Sequence, residues 1–145
     1  MNLAAVQEIQ IGQGGKLSFI ANVVFNGIDN PAFIPGASNC LLFGANGKLL
    51  FFTNQATAQV ISLNVDEQTG GLSLNSIADD GGGLDEPSQM AASTSRGLIF
   101  TGDFNTQGAP VMGVLRAAAN GKLKLLGTLP LTAKAAPTSI AAITF

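Results

Sequence analysis

The stretch "GKLLFFTNQATAQVISLNVDEQTGGLSLNSI", Gly47 to Ile77, decides how the chain is read. A turn glycine opens it, and an apolar strand follows over Lys48–Thr53. The polar loop Asn54–Ala58 interrupts it before a second strand, Gln59–Val65, whose Val60, Ile61, Leu63 and Val65 are apolar. "DEQTGG" then turns the chain into a third strand, Leu72–Ile77. Short apolar runs bounded by Gly, Asn and Asp are the grammar of strands. The same grammar extends outward. Ala5–Ile11 and Leu17–Phe25 are strands joined by "GQGG", and a loop with Pro31 and Pro35 covers Asn26–Ser38. Asn39–Phe43 pairs with Lys48–Thr53 across "GANG", where Asn46-Gly47 is a strong hairpin signal. Downstream, Ala78–Pro87 is a glycine-rich loop, Gln89–Ala92 and Leu98–Gly102 form a pair, Val111–Ala117 and Lys122–Leu129 form another around "AANG", and Ser139–Phe145 is a last strand. No segment sustains a helical period.

Aligning the turns exposes a repeat. "GGKLSF" (Gly14–Phe19), "GGLSLN" (Gly70–Asn75) and "NGKLKLL" (Asn120–Leu126) each place a glycine turn before a strand that starts with Leu. The leucines Leu17, Leu72 and Leu123 lie 55 and 51 residues apart. "LLFFTN" (Leu49–Asn54) and "GLIFTGD" (Gly97–Asp103) match at a shared Phe-Thr 48 residues apart, and Pro35, Pro87 and Pro137 are spaced by 52 and 50. A period near 50 in an all-strand chain predicts an all-β fold of propeller-type, four-stranded blades. The alternative is a β-sandwich with similar turns.

Composition narrows the function. The 145 residues suffice for one domain with a core. Apolar residues make up 46% and charged residues only 11%, against roughly 25% charged in an average soluble domain. The chain is therefore either unusually buried or covered in part by a partner. A net charge of −2 steers nothing, and 7 scattered Lys and Arg make no basic patch, so nucleic acid is excluded as a partner. With 9 Phe but no His, the chain lacks Ser-His-Asp and Cys-His catalysis and every His-based metal site. Cys40 stands alone beside Leu41, Leu42 and Phe43 and reads as an inert buried thiol. No apolar run approaches the roughly 18 residues that span a bilayer, so no membrane is implied. The start, Met1-Asn2-Leu3 with Glu8 close behind, does not read as a signal peptide, which leaves a cytoplasmic or a processed secreted product. No cofactor is implied.

The segment "GKLLFFTN…QVISLNVDEQTGGLSL" resembles a blade of the lactonase-type seven-bladed propellers, relatives of the YVTN-repeat proteins, including the Thr69-Gly70-Gly71-Leu72 turn. The resemblance covers roughly Pro35 to Phe145 and more weakly the start. It implies blades whose innermost strand comes first: the outer strands of one blade within residues 1–27, full blades at 39–77 and 89–129, and the beginning of another at 137–145. It also implies ligands at a channel mouth, and members that are sugar lactonases, muconate-type cycloisomerases or cyclising proteins. With fewer than three blades in one all-β domain over 1–145, the ring would be completed by another copy, as a homo-oligomer, or by the remainder of a larger propeller.

The mouth loops on this reading are Asn26–Ser38, Asn54–Ala58, Ala78–Ser88, Asp103–Pro110 and Thr132–Ser139. Asp103 ends a strand and is the candidate general base. Asn54 holds the comparable place one blade earlier and could orient a ligand carbonyl. Asn105, Gln55, Asp29, Glu86 and Lys134 are candidate ligand-binding residues. "DDGGGLDE" (Asp79–Glu86) concentrates carboxylates but does not match an EF-hand, and no metal site is assigned. The glycines of "GQGG" precede no helix and form no phosphate cradle. The resemblance implies His, Arg and Glu in the channel, and this is not met in full: the chain has no His, and Arg96 and Arg116 sit at strand–turn positions outside the channel. The expected function is a pocket for an apolar small molecule that undergoes cyclisation, isomerisation or lactone chemistry, with orientation supplying much of the catalysis. A non-catalytic binding or scaffold module is the alternative. Lack of Trp and Tyr argues against sugar stacking.

Overall fold

A computed structural model of the chain describes residues 5–11, 13–24, 41–44, 47–79, 84, 87–93, 96–103, 110–132 and 140–142. Its described residues hold ten strands: β1 (Ala5–Ile11), β2 (Leu17–Val24), β3 (Leu41–Phe43), β4 (Leu49–Asn54), β5 (Gln59–Val65), β6 (Leu72–Asp79), β7 (Pro87–Ser93), β8 (Leu98–Asp103), β9 (Val111–Ala117) and β10 (Leu123–Pro130). Each strand is joined to the next in order: β3-β4-β5-β6 make one antiparallel sheet and β7-β8-β9-β10 another, with β1-β2 as a separate hairpin. Two four-stranded meanders in succession are propeller-type blades, and the fold is all-β.

The three "turn-Leu" motifs are the same structural joint. Leu17, Leu72 and Leu123 each begin a strand, opposite Ile11, Val65 and Ala117 respectively. Gly14, Gly15, Gly70 and Gly121 take positive φ in the turns before them, a conformation that suits glycine. The pairing then slips at one place in all three. Ile20, Asn75 and Leu126 are skipped by the register, and each is the fourth residue of its strand. A bulge adds local twist. Its recurrence identifies β1-β2 as the outer pair of a blade, equivalent to β5-β6 and β9-β10.

Strand alternation gives each blade a rear face and a forward face, the latter turned to the next blade in the chain. The forward face of the first blade contributes Leu49, Phe51, Val60 and Ala78 to one core, and the rear face of the second contributes Met90, Ile99, Leu115 and Leu123, with Leu84 packed among them. This seam is the main core between the blades. Leu50, Phe52, Ile61 and Leu63 form a second core on the rear face of the first blade. Full burial of each such side chain stabilises the fold by about 1.5–3 kcal/mol. At the outer edge the seam is pinned by hydrogen bonds. The Asn75 Nδ2 donates to the Asn120 carbonyl at 2.6 Å, and the Leu123 N–H donates to Ser76 Oγ at 3.1 Å.

The faces correct the sequence alignment. Phe52-Thr53 and Phe100-Thr101 look equivalent at 48 residues. Yet Leu49 and Phe51 face forward while Ile99 faces to the rear. Structural equivalence runs at 49 residues, pairing Leu49 with Leu98, Phe51 with Phe100 and Asn54 with Asp103, since Asn54 and Asp103 both close their ladders, opposite Gln59 and Val111. A one-residue slip exchanges every side chain between faces, which a match of residue types cannot detect. Boundaries shift too. Asn54 and Asp79 belong to strands and Pro87 begins one. Of the expected last strand, Ile140–Ala142 are not in strand conformation. Cys40 and the loop Asn26–Ser38 lie outside the described residues.

Candidate functional site at the polar end of a blade seam

The seam between the blades is chemically divided along its length. At one end β4 and β8 finish, and there the buried residues become polar: Thr53, Asn54, Gln59, Ser88, Thr101 and Asp103. Asp103 is 0% exposed and Asn54 is 1% exposed. The sequence reading places both in loops at a channel mouth. The structure instead buries them, because each is the last residue of a strand and points sideways toward the neighbouring blade space. Asp103 shares its face with Ile99 and Thr101 and therefore looks into the seam with the first blade. Asn54 shares its face with Leu50 and Phe52 and looks to the rear of the first blade.

Hydroxyl groups bridge the two blades around Asp103. Thr53 Oγ1 donates across the seam to the Ser88 carbonyl at 3.2 Å, and Ser88 Oγ donates to the Gly102 carbonyl at 3.2 Å. These bonds satisfy buried groups that would otherwise cost about 1–3 kcal/mol each. They also tie the start of β7 to the ends of both β4 and β8, so the position of Asp103 is set by both blades.

Gln55 lies half-buried in the 3-10 turn Gln55–Thr57 that follows β4. That turn closes with Ala58 in the left-handed region at φ 54, its N–H bonded to the Gln55 carbonyl at 3.3 Å. Thr57 Oγ1 donates to Gln59 Oε1 at 2.7 Å, which fixes the return into β5. Asn105, Asp29, Glu86 and Lys134 lie outside the described residues. Arg96 and Arg116 are exposed. Within "DDGGGLDE", Leu84 is buried and packs over Gly113, where a Cβ would meet Leu84 Cδ2 at 2.6 Å. Among the described residues no three His, Cys, Asp or Glu side chains gather as metal ligands, and no helix is long and apolar enough to cross a membrane.

Sequence reasoning missed Thr53, Ser88 and Thr101. Their signal is a lone hydroxyl residue inside or at the start of an apolar strand, in "FFTN", "PSQM" and "IFTGD". It also missed an apolar cavity of about 290 Å³ at the opposite end of the seam, where Leu49, Phe51 and Ile99 meet Ala92, Ala117 and Ala118. This cavity and the polar groups thus lie at opposite ends of the seam. Chemistry needs the polar end, since the cavity offers little beyond contact area and Ser93.

Two solved structures share this architecture. A protein from Lactobacillus plantarum superposes with a TM-score of 0.67 at 18% identity over 87% of this chain and 35% of that one. A periplasmic gluconolactonase from Pseudomonas aeruginosa superposes with a TM-score of 0.57 at 19% identity over 86% of this chain and 37% of that one. The likeness is one of fold, and the chain spans about a third of the length of each. No family profile and no curated protein matches the sequence.

Proposed function

We propose that the chain is a blade-bearing part of a lactonase-like propeller and that its polar seam end acts on a small, largely apolar molecule by lactone, isomerisation or cyclisation chemistry. The observation that carries this is the fully buried Asp103 at the end of β8, next in sequence to Gly102, to whose carbonyl Ser88 bonds, while Thr53 bonds to Ser88 across the seam. A buried carboxyl group among hydroxyl groups at the polar end of the seam is a group placed for proton transfer. The gluconolactonase among the structural neighbours supports cyclic esters as the first substrates to try. The chain itself brings no His, so proton transfer falls to a carboxyl group.

The two strand-end residues divide the work. Stacked sheets lie about 10 Å apart, so Asn54 and Asp103, in equivalent places on successive blades, do not share one carbonyl. Asp103 takes the proton. Asn54, with Gln55 beside it, anchors a second polar point of the same ligand. Asn105, Asp29, Glu86 and Lys134 belong to the same proposed mouth by their loops. The rest of that mouth comes from blades beyond those described, and the apolar lining from the Phe-rich interior.

The test is a panel of glucono-δ-lactone, an apolar δ-lactone and a muconate-type diacid, followed by NMR for ring opening, closure or isomerisation. Turnover of one of them that falls at least a hundredfold in Asp103→Asn, with strand content unchanged by circular dichroism, is the expected result. Equal turnover in wild type and Asp103→Asn removes Asp103 from the chemistry. Binding without turnover selects the non-catalytic module instead.

A further inference from the structure

The blade seam inside this chain is also a template for a seam between chains. Its two sides are known residue by residue, and both sides recur elsewhere in the same molecule without the same cover. On the rear face, Leu63 of β5 and Leu115 of β9 are both 0% exposed. Ile9 of β1 is their equivalent, because it pairs with Phe19 as they pair with Leu74 and Leu125, and it is 53% exposed. Around it Leu17 is 63% and Phe19 60% exposed, although the equivalent of Leu17 in the second blade, Leu123, is buried. The hairpin β1-β2 therefore carries the rear face of a blade, apolar and open.

The forward face shows the complementary defect. In the first blade Leu49, Phe51 and Val60 are buried beneath the second blade. Their equivalents in the second blade are Leu98, Phe100 and Met112, and all three are only half-buried, as is Val114 on the same face. Leu recurs as Leu and Phe as Phe, so this face has the chemistry of one that is covered by a rear face in the first blade. Arg116, opposite Leu98, and Lys124 beyond it are exposed charges on the forward face, at positions whose first-blade equivalents, Asn64 and Ser73, stay exposed beside the internal seam as well. An apolar stretch of sheet face left open on a chain with only 11% charged residues marks an interface.

We infer that a second copy of this chain docks head to tail, laying the rear face of its β1-β2 hairpin (Ile9, Leu17, Phe19) on the forward face of the second blade (Leu98, Phe100, Met112, Val114). The contact repeats the internal seam of the chain. It is heterologous, one surface meeting a different one, and such contacts generate closed rings when the rotation allows. Closing the ring would supply the mouth that the polar end of the seam lacks. This inference rests on the propeller reading of the fold and not on lactone chemistry, so the two fail separately.

The experiment is light scattering on a size-exclusion column for wild type, Phe19→Asp, Phe100→Asp and an equimolar mixture of the two variants. Wild type should run at twice 14.7 kDa or more. Each variant should run at the single-chain mass with unchanged circular dichroism, and Ile9→Asp should reproduce Phe19→Asp. The mixture should recover a pair, because one intact hairpin then meets one intact blade face. Single-chain wild type across the micromolar range overturns the inference and assigns these faces to further blades of a longer polypeptide. Variants that keep the wild-type mass, or a mixture that stays monomeric, overturn it equally.

Discussion

Individual residues set how closely the two blades approach at the outer edge of their seam. Gly121 sits at φ +83, and a Cβ there would bring Asn75 Nδ2, Leu49 Cδ2 and Ser62 Oγ all inside 3.0 Å. Gly47 takes a similar φ of +70 with nothing within 4 Å. Comparing the two separates backbone strain from packing. Gly47→Ala should cost about 1–2 kcal/mol, the left-handed penalty alone. Gly121→Ala should add about 1–3 kcal/mol of overpacking, and urea melts of both variants read the difference. Asp66 acts at a turn in a different way. Its carboxylate accepts the N–H groups of Gln68 at 2.8 Å and Thr69 at 3.2 Å. Those backbone bonds, Gln68 first, hold its pKa below the ordinary 3.8. The stability it contributes is therefore present above about pH 3.8 and lost as pH falls through the lower folded value. Asp66→Ala should melt earlier at pH 7 and lose less on further acidification, as thermal scans from pH 7 to 2 would show.

At the scale of elements, the blade joint was legible in the sequence and the faces were not. Gly-turn-Leu is written in residue types, because positive φ demands glycine and the strand start demands an apolar anchor; the structure starts β2, β6 and β10 at Leu17, Leu72 and Leu123 as expected. The bulge was invisible, since polar Asn75 stands where Ile20 and Leu126 are aliphatic and no one residue type marks the position. The Phe-Thr match misled by one residue because Phe occurs on both faces of β4, at Phe51 and Phe52. The ends of β4 and β8 were legible as polar, which singled out Asn54 and Asp103 as candidates, while their burial depends on neighbouring packing that no local pattern encodes. Equivalence of blade positions predicts unequal energetics. Leu63→Ala and Leu115→Ala should each cost about 2–5 kcal/mol, as truncations of fully buried leucines do. Ile9→Ala should stay within about 0.5 kcal/mol in the isolated chain. Chemical denaturation at low protein concentration checks all three.

For the whole molecule, low charge and high apolar content are explained by seams. Each blade offers two apolar faces, and stacking covers them, so little charge is needed where one blade lies on another. The period near 50 was enough to predict blades, and the overlap with two solved structures agrees with it. What the period could not give is the direction of stacking, which face of one blade meets which face of the next. That direction fixes where Asp103 looks, which surfaces remain open and how copies could join. Methyl-resolved NMR distances across the seam test it most directly. The account predicts strong contacts from a Leu49 methyl to the Gly121 α-protons and from Phe51 to Ile99 or Leu115. Contacts running instead from Phe52 to the second sheet, with none between Leu49 and Gly121, would mean that the sheets stack by other faces, as in a sandwich, and would contradict it.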